Sequence, residues 1–292
     1  MSKQAPATSG GLTKVEKANV RIVEKWHSVP ALSSLSSFLA RYMARAEFEL
    51  VLHNVVQDHH FERLEKVSYE HGVLVCGNHR SYLDPFAIAI RSMHHMPKGT
   101  RFIAPPRTEG LFDKPWGIFL NFILTGMNMY PPVVRASRGS MWGKQVIQIL
   151  TDILLRGKAA IFIHPEGGRN KGSDPYQLNH AKPGLGKIIH STKAVVFPVF
   201  LQGFPNKPGG FVRGQLRRGA PLVHAVMGEP IDFSAERAQP ASPEIYRAIG
   251  QKLMEAIRLA SVEEREIRAR IAAKSGAVAA DQVVSEGSTA GV

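Results

Sequence analysis

Apolar positions along this chain recur with two different periods, and the places where one period gives way to the other predict the architecture. From Phe48 onward, short apolar runs near 48–55, 72–77, 101–105, 127–134, 159–164, 194–202 and 220–227 read as strands. Helical spacing near 85–94, 115–124, 138–156 and 183–191 fills several of the gaps between them. Strand followed by helix, repeated, predicts an α/β fold with a mixed, mostly parallel central sheet flanked by helices. In such sheets the reactive groups gather beyond the carboxyl ends of the strands.

The two ends of the chain have patterns of their own. From Lys14 to Trp26 the apolar Val15, Val20, Ile22 and Val23 are interleaved with Lys17, Arg21 and Lys25. Next come Leu32, Leu35, Phe38, Leu39, Tyr42 and Met43 at helical spacing, flanked by Arg41 and Arg45. An N-terminal pair of amphipathic helices with basic flanks suits the headgroup boundary of a bilayer, and equally suits packing on the domain core. At the other end, Pro240 to Lys274 reads as a helix with Ile245, Ile249, Leu253, Ile257 and Leu259 on its apolar side. Residues 1–11 and 275–292 are small, polar and aperiodic, and are expected to be disordered. The expected organisation is thus a disordered start at 1–11, a membrane-associating helical segment at 12–46, an α/β domain at 47–274 and a disordered tail at 275–292.

Composition narrows the choice of partners. With 292 residues and 44% apolar content the chain can bury a substantial core. Its 37 Lys and Arg against 24 Asp and Glu leave a net charge of +13, which calls for anionic partners, phosphates or an anionic membrane surface. Nucleic acid is disfavoured, because the basic residues are scattered among apolar segments with no finger, basic zipper or RNA-binding motif. The clusters Lys98-Arg101-Arg107 and Arg213-Arg217-Arg218 fit a solvated rim as well as a binding patch. The single cysteine, Cys76, allows no internal disulfide or cysteine-rich zinc site and reads as a buried strand residue. No apolar stretch reaches the roughly 18 residues of a spanning helix, and the first residues lead into no secretory core, so a cytoplasmic-facing protein is expected, peripheral on the membrane.

The candidate chemistry lies in two of the strand-to-helix turns. Gly77-Asn78-His79-Arg80-Ser81-Tyr82-Leu83-Asp84-Pro85-Phe86 follows the apolar run Val73-Leu74-Val75-Cys76 and couples an imidazole to a carboxylate. A carboxylate on one ring nitrogen fixes the tautomer and steadies the imidazolium, which equips His79 as a general base. Two residues five apart on one helix face different ways, so the pair meets only if His79 sits in the turn and the helix starts at Asp84, with Asp84 as N-cap and Pro85 at the first helical position. An ordinary turn histidine and an ordinary cap aspartate would carry the same sequence. The second turn, His164-Pro165-Glu166-Gly167-Gly168-Arg169-Asn170, sets two glycines beside a carboxylate and a guanidinium. That allows close backbone approach to a ligand and a planar fork for phosphate; a surface ion pair in a glycine turn is the plainer reading. The adjacent pairs His59-His60 and His94-His95 lack the spacing to converge on one metal ion, and no metal site is expected. Absence of a Gly-x-Ser-x-Gly elbow disfavours a serine acyl-enzyme.

From Val73 to Pro230 these blocks resemble, in order, those of the glycerolipid acyltransferases, the lysophosphatidic acid acyltransferase family. His79 and Asp84 match its Asn-His-x4-Asp motif; Pro165-Glu166-Gly167-Gly168-Arg169 is similar to its Pro-Glu-Gly-x-Arg block, and Val195-Val196-Phe197-Pro198-Val199 to its late Val-Pro block. Tyr130-Pro131-Pro132-Val133-Val134-Arg135 is a looser match to a strand ending in a substrate-binding arginine. His164 stands where the family usually has an aromatic residue, and Asn170 where serine is common. The resemblance implies catalysis by His79 and Asp84, and phosphate binding by Arg135, Glu166, Gly167 and Arg169. It also implies transfer of a fatty acyl chain from acyl-CoA or acyl carrier protein to 1-acylglycerol 3-phosphate, giving phosphatidic acid, with no cofactor beyond the thioester co-substrate. The same chemistry on an ornithine lipid precursor, a glycolipid or another lysophospholipid stays open, as does a non-catalytic lipid-binding protein. Trp116-Gly117-Ile118-Phe119-Leu120 fits the wall of an acyl groove or plain core packing.

Overall fold

The computed structural model describes residues 11–52, 55–134, 141–205 and 222–288. Its centre is a six-stranded sheet of β1 (Val56–His59), β2 (Val73–Gly77), β3 (Arg101–Ile103), β4 (Ala159–Ile163), β5 (Val195–Gln202) and β6 (Val223–Met227), ordered β1-β6-β5-β2-β4-β3. Every neighbouring pair is parallel except β5 with β6. All five residues of β2 are buried, as expected of a central strand covered on both faces. Alternate residues serve two apolar layers: Leu74, Cys76, Ile161, Val196 and Phe200 on one side of the sheet, and Val73, Val75, Phe162, Phe197 and Val199 on the other.

Helices cover both faces. In chain order they are α1 (Lys14–Ser28), α2 (Pro30–Leu39), which runs through a π-turn (Ala40–Ala44) into α3 (Arg45–Leu52), α4 (Asp84–His95), α5 (Gly117–Thr125), α6 (Met141–Leu155), α7 (Pro183–His190), the short α8 (Ser234–Arg237) and α9 (Pro243–Ser288). The N-terminal helices are not equivalent. Thr13 and Glu16 form a capping box at the start of α1, whose Val20 and Val23 are buried in the main core, and the Asn19 amide donates to the carbonyls of Phe112 and Lys114 at 2.9 Å each. α2 buries only Ser36. At the far end, Ile249, Leu253, Ile257, Ala260 and Ile267 of α9 line the core, spaced by three, four or seven residues, whereas Leu259 points outward at 57% exposed.

Several expectations are corrected. The strand expected at 48–55 is helix α3: the charge-apolar alternation of Glu47-Phe48-Glu49-Leu50 imitates a strand, but Phe48 stacks on Phe86 of α4 at 4.4 Å and Leu50 is 89% exposed. The edge strand is instead β1, whose largely polar sequence Val-Gln-Asp-His gives no apolar signal because it pairs on one side only. The run 127–134 is no strand but an irregular connection, with Met127 at positive φ and an isolated bridge from Arg107 to Val133, since Pro131 and Pro132 have no N–H to give a ladder. α9 continues past Lys274 through a stretch rich in alanine, the strongest helix former. Arg135, Arg213, Arg217 and Arg218 lie outside the described residues.

Candidate active site

Parallel pairing brings the carboxyl ends of β2 and β4 side by side, with Cys76 registered opposite Ile163, and both candidate turns leave from there. Asn78 starts the first one by acting as a piece of backbone: its Nδ2 donates to the Leu201 carbonyl at 3.0 Å and its Oδ1 accepts from the Leu201 N–H at 2.7 Å. The ladder thereby extends one residue past the strand, and the chain turns at His79.

His79 and Asp84 meet. His79 Nδ1–H donates to Asp84 Oδ2 at 3.2 Å; the tautomer is assigned because an ionised carboxylate only accepts. The ring's other nitrogen, Nε2, is then the one that can receive a proton. Asp84 is not the N-cap expected of it. Leu83 holds that position and Asp84 is the first helical residue. Instead of capping forward, Oδ2 reaches back to accept the N–H groups of Arg80 and Ser81, both at 2.6 Å, and so shapes the turn that presents His79. The other oxygen, Oδ1, is buried with no hydrogen-bond partner among the described residues.

A second imidazole lies beneath the first. The His164 ring stacks on His79 with centroids 4.0 Å apart and 11° between planes, and its Nδ1–H donates to the Gly77 carbonyl at 2.9 Å. It packs face to face on His79 and ties the end of β4 to the end of β2.

The second turn is held to the first at three points. Glu166, only 4% exposed, accepts the His79 N–H through Oε1 and the Asn179 N–H through Oε2, each at 3.0 Å. Both oxygens are therefore engaged by the chain itself, which makes Glu166 a brace between the two turns. Asn170 donates its N–H to the His79 carbonyl at 2.7 Å and folds its own loop through Gln177 and Gly172. Arg80 grips that loop from the other side, donating to the carbonyls of Gly172 and Asp174 at 2.7 and 2.9 Å. Gly167 needs to be glycine: its φ is +67°, and a Cβ there would lie 2.8 Å from Lys182 Cγ.

Two guanidiniums stand near His79. Arg169 lies 3.7 Å above the Tyr82 ring, and Arg107, reaching over from the segment after β3, donates to the Gly167 carbonyl at 2.7 Å. Their charges add to the effect of burial on the imidazole. Burial first, then Arg169 and Arg107, hold His79 down at about 4, and burial, then His79, takes His164 to about 3. Burial pushes Asp84 up to about 6, against the pull of His164 and the Arg80 and Ser81 N–H groups. At neutral pH the imidazole is neutral and the carboxylate charged, the protonation state a general base requires. The buried Cys76 thiol is pushed far up by desolvation and offers no nucleophile.

Of the residues singled out from sequence, His79, Asp84, Glu166, Gly167 and Arg169 come together here; Arg135 lies outside the described residues. Arg107, Asn78, Arg80, Tyr82 and Asn179 were missed as site residues. Arg107 had a signal, since Pro105-Pro106-Arg107 follows the end of a strand next to β4. Residues 56–202, half of the chain and the whole of the arrangement just described, match the family model described as Acyltransferase. No curated protein matches the chain.

Proposed function

The chain belongs to the acyltransferase family, and from that premise we propose that it transfers a fatty acyl chain from acyl-CoA or acyl carrier protein to the free hydroxyl of 1-acylglycerol 3-phosphate, giving phosphatidic acid. The observation that carries this reading is the placement of one neutral, carboxylate-bonded imidazole beside two guanidiniums: a base for a hydroxyl and cations for a phosphate, in one site.

His79 Nε2 takes the proton of the acceptor hydroxyl as its oxygen attacks the thioester carbonyl. The tetrahedral intermediate collapses by breaking the C–S bond, and the departing thiolate takes the proton back from His79, leaving a free thiol and an ester. Asp84 holds the tautomer and offsets the charge of the transient imidazolium. A positioned base of this kind contributes about 10²- to 10⁴-fold, and alignment of the two substrates supplies much of the remainder. Arg169 and Arg107 hold the acceptor phosphate, with Arg135 as a further candidate. Glu166 acts through the backbone it braces. Phosphate binding also changes the base: neutralising the two arginines removes part of what depresses His79, so the imidazole becomes a better proton acceptor once the acceptor is seated. The positive net charge and the amphipathic pattern of the segment 12–46 support attachment to an anionic, cytoplasmic membrane surface, and no described helix is long and apolar enough to cross a membrane.

Incubating the purified protein with acyl-CoA or acyl carrier protein thioester and a panel of lysolipids, with mass spectrometry of the products, tests the reading. Phosphatidic acid formed faster than any other product supports it. Transfer to a neutral or zwitterionic lysolipid in preference, with none to 1-acylglycerol 3-phosphate, overturns it.

A further inference from the structure

We infer that α5 together with α2 forms the surface that enters the membrane, with Trp116, Phe119 and Phe38 as the side chains that insert; this rests on the reading of the acceptor as a membrane lipid.

The nine residues of α5, Gly-Ile-Phe-Leu-Asn-Phe-Ile-Leu-Thr, carry no charge. One side of the helix is accounted for: Phe122 meets the Trp26 ring of α1 edge-on at 5.8 Å, and Asn121 is buried with its amide on the Met129 carbonyl. The other side is not in the core. Trp116, Phe119 and Ile123, spaced by three and four residues, are 56%, 67% and 41% exposed. On α2 and its π-turn, Leu35, Phe38 and Tyr42 repeat the same spacing at 39%, 55% and 51% exposure, with the Phe38 and Tyr42 rings 4.8 Å apart. The two helices touch where α5 ends: a Cβ on Gly126 would lie 2.8 Å from Leu39 Cβ, so only glycine allows the approach. Single exposed apolar side chains are ordinary on a protein surface, whereas six on two adjoining helices, four of them aromatic, are not.

Charge identifies the occupant. Lys114 stands over the Trp116 ring at 5.2 Å, Arg45 edges the crevice that Tyr42 shares, with Glu49 3.9 Å away, while Arg41 there donates to the Met93, Met96 and Pro97 carbonyls, and the chain carries +13 overall. Aromatic rings bordered by cations match the boundary of an anionic bilayer, where rings sit at headgroup depth and each cation near the surface gains from the lipid phosphates. The surface is fixed relative to the chemistry, because the segment from Arg107 to Trp116 is bonded to the site at one end, through the Gly167 carbonyl, and clamped by Asn19 of α1 at Phe112 and Lys114. α1 is thereby a support and not the anchor.

Full-length protein is mixed with vesicles of phosphatidylglycerol and phosphatidylcholine, and with phosphatidylcholine alone, and binding is measured by sedimentation. The double substitution W116S/F119S is expected to weaken binding to the anionic vesicles at least about tenfold while the melting temperature stays near wild type. In vesicles with brominated acyl chains, tryptophan quenching is expected in the wild type and largely lost in W116F, because Trp142 is buried and Trp26 is half-buried with its indole N–H on Ser36. Unchanged binding and unchanged quenching overturn the inference. So does a wild-type dimer that W116S/F119S converts to monomer in sedimentation velocity while vesicle binding persists, which marks the face as a contact between two copies. A monomeric short-chain acceptor separates this from the enzymatic reading: F38S, outside the segment 116–120, should lose vesicle binding and still turn that acceptor over like wild type, and a wild type that acylates no acceptor sinks the enzyme reading while leaving the vesicle result to stand or fall alone.

Discussion

Asp84 carries two duties that ordinarily conflict. As a buried carboxylate it is costly to ionise, and yet its charge is what His79 needs. Because its folded-state value is raised to about 6, above the roughly 3.9 of an unfolded aspartate, burial of Asp84 favours the fold at low pH and this contribution is lost as pH rises through about 6. Asp84→Asn should therefore gain in melting temperature relative to wild type between pH 5 and pH 8, while turnover stays down by at least about 10²-fold at both; a stability gap that moves the other way contradicts the buried charge. Because His79 and Asp84 share a hydrogen bond, the acid limb of kcat/KM belongs to the pair, and activity should fall as the pH is lowered and the pair takes up its first proton. The linked claim about the arginines is open to NMR. Titrating the His79 imidazole with and without inorganic phosphate should show its pKa rise when phosphate is present; no change would mean that the anion sits elsewhere. Arg169→Lys keeps the charge but loses the fork, so it should raise KM for the phosphorylated acceptor more than it lowers the slow hydrolysis of acyl-CoA by water, and equal losses would assign Arg169 to the donor or the fold.

Elements were legible where their environment was one-sided. β2 and β4 are buried on both faces, so Val73-Leu74-Val75-Cys76 and Ala159-Ala160-Ile161-Phe162 announced themselves as continuous apolar runs. β1 is hidden because an edge strand has no such need, and α3 imitates a strand because two glutamates alternate with Phe48 and Leu50. The site divides the same way. His79 and Asp84 were visible because their partnership is local, five residues across a single turn, whereas the brace made by Glu166 depends on Asn179, thirteen residues away, and on where β4 delivers it. Arg107 reaches the site only because β3 lies beside β4. α1 tests how far the elements depend on one another. Asn19→Ala removes the partner of the Phe112 and Lys114 carbonyls, and urea denaturation should register a loss of about 1–3 kcal/mol; no loss would detach α1 from the site. A protein beginning at Glu47 should do worse, since it uncovers the core around Val20 and Val23, and should aggregate instead of folding.

At the scale of the whole molecule, a net charge of +13, an apolar face on two adjoining helices and a base near two guanidiniums are what the proposed acceptor, a phosphorylated lipid held at an interface, requires. Electrostatic attraction to that interface is screened within about 8 Å at physiological salt, so raising salt should release the protein from anionic vesicles more readily than from any surface it holds by apolar contact alone. Chemistry and attachment remain separable, because His79 lies in a turn of the sheet and not on α2 or α5. The most direct test is therefore phosphatidic acid formation by wild type and His79→Ala on the same vesicles carrying 1-acylglycerol 3-phosphate, with acyl-CoA supplied and vesicle binding and melting temperature measured alongside. Wild type should form phosphatidic acid and His79→Ala should form it at least about 10²-fold more slowly, with binding and melting unchanged; product formation by His79→Ala near the wild-type rate would contradict the account.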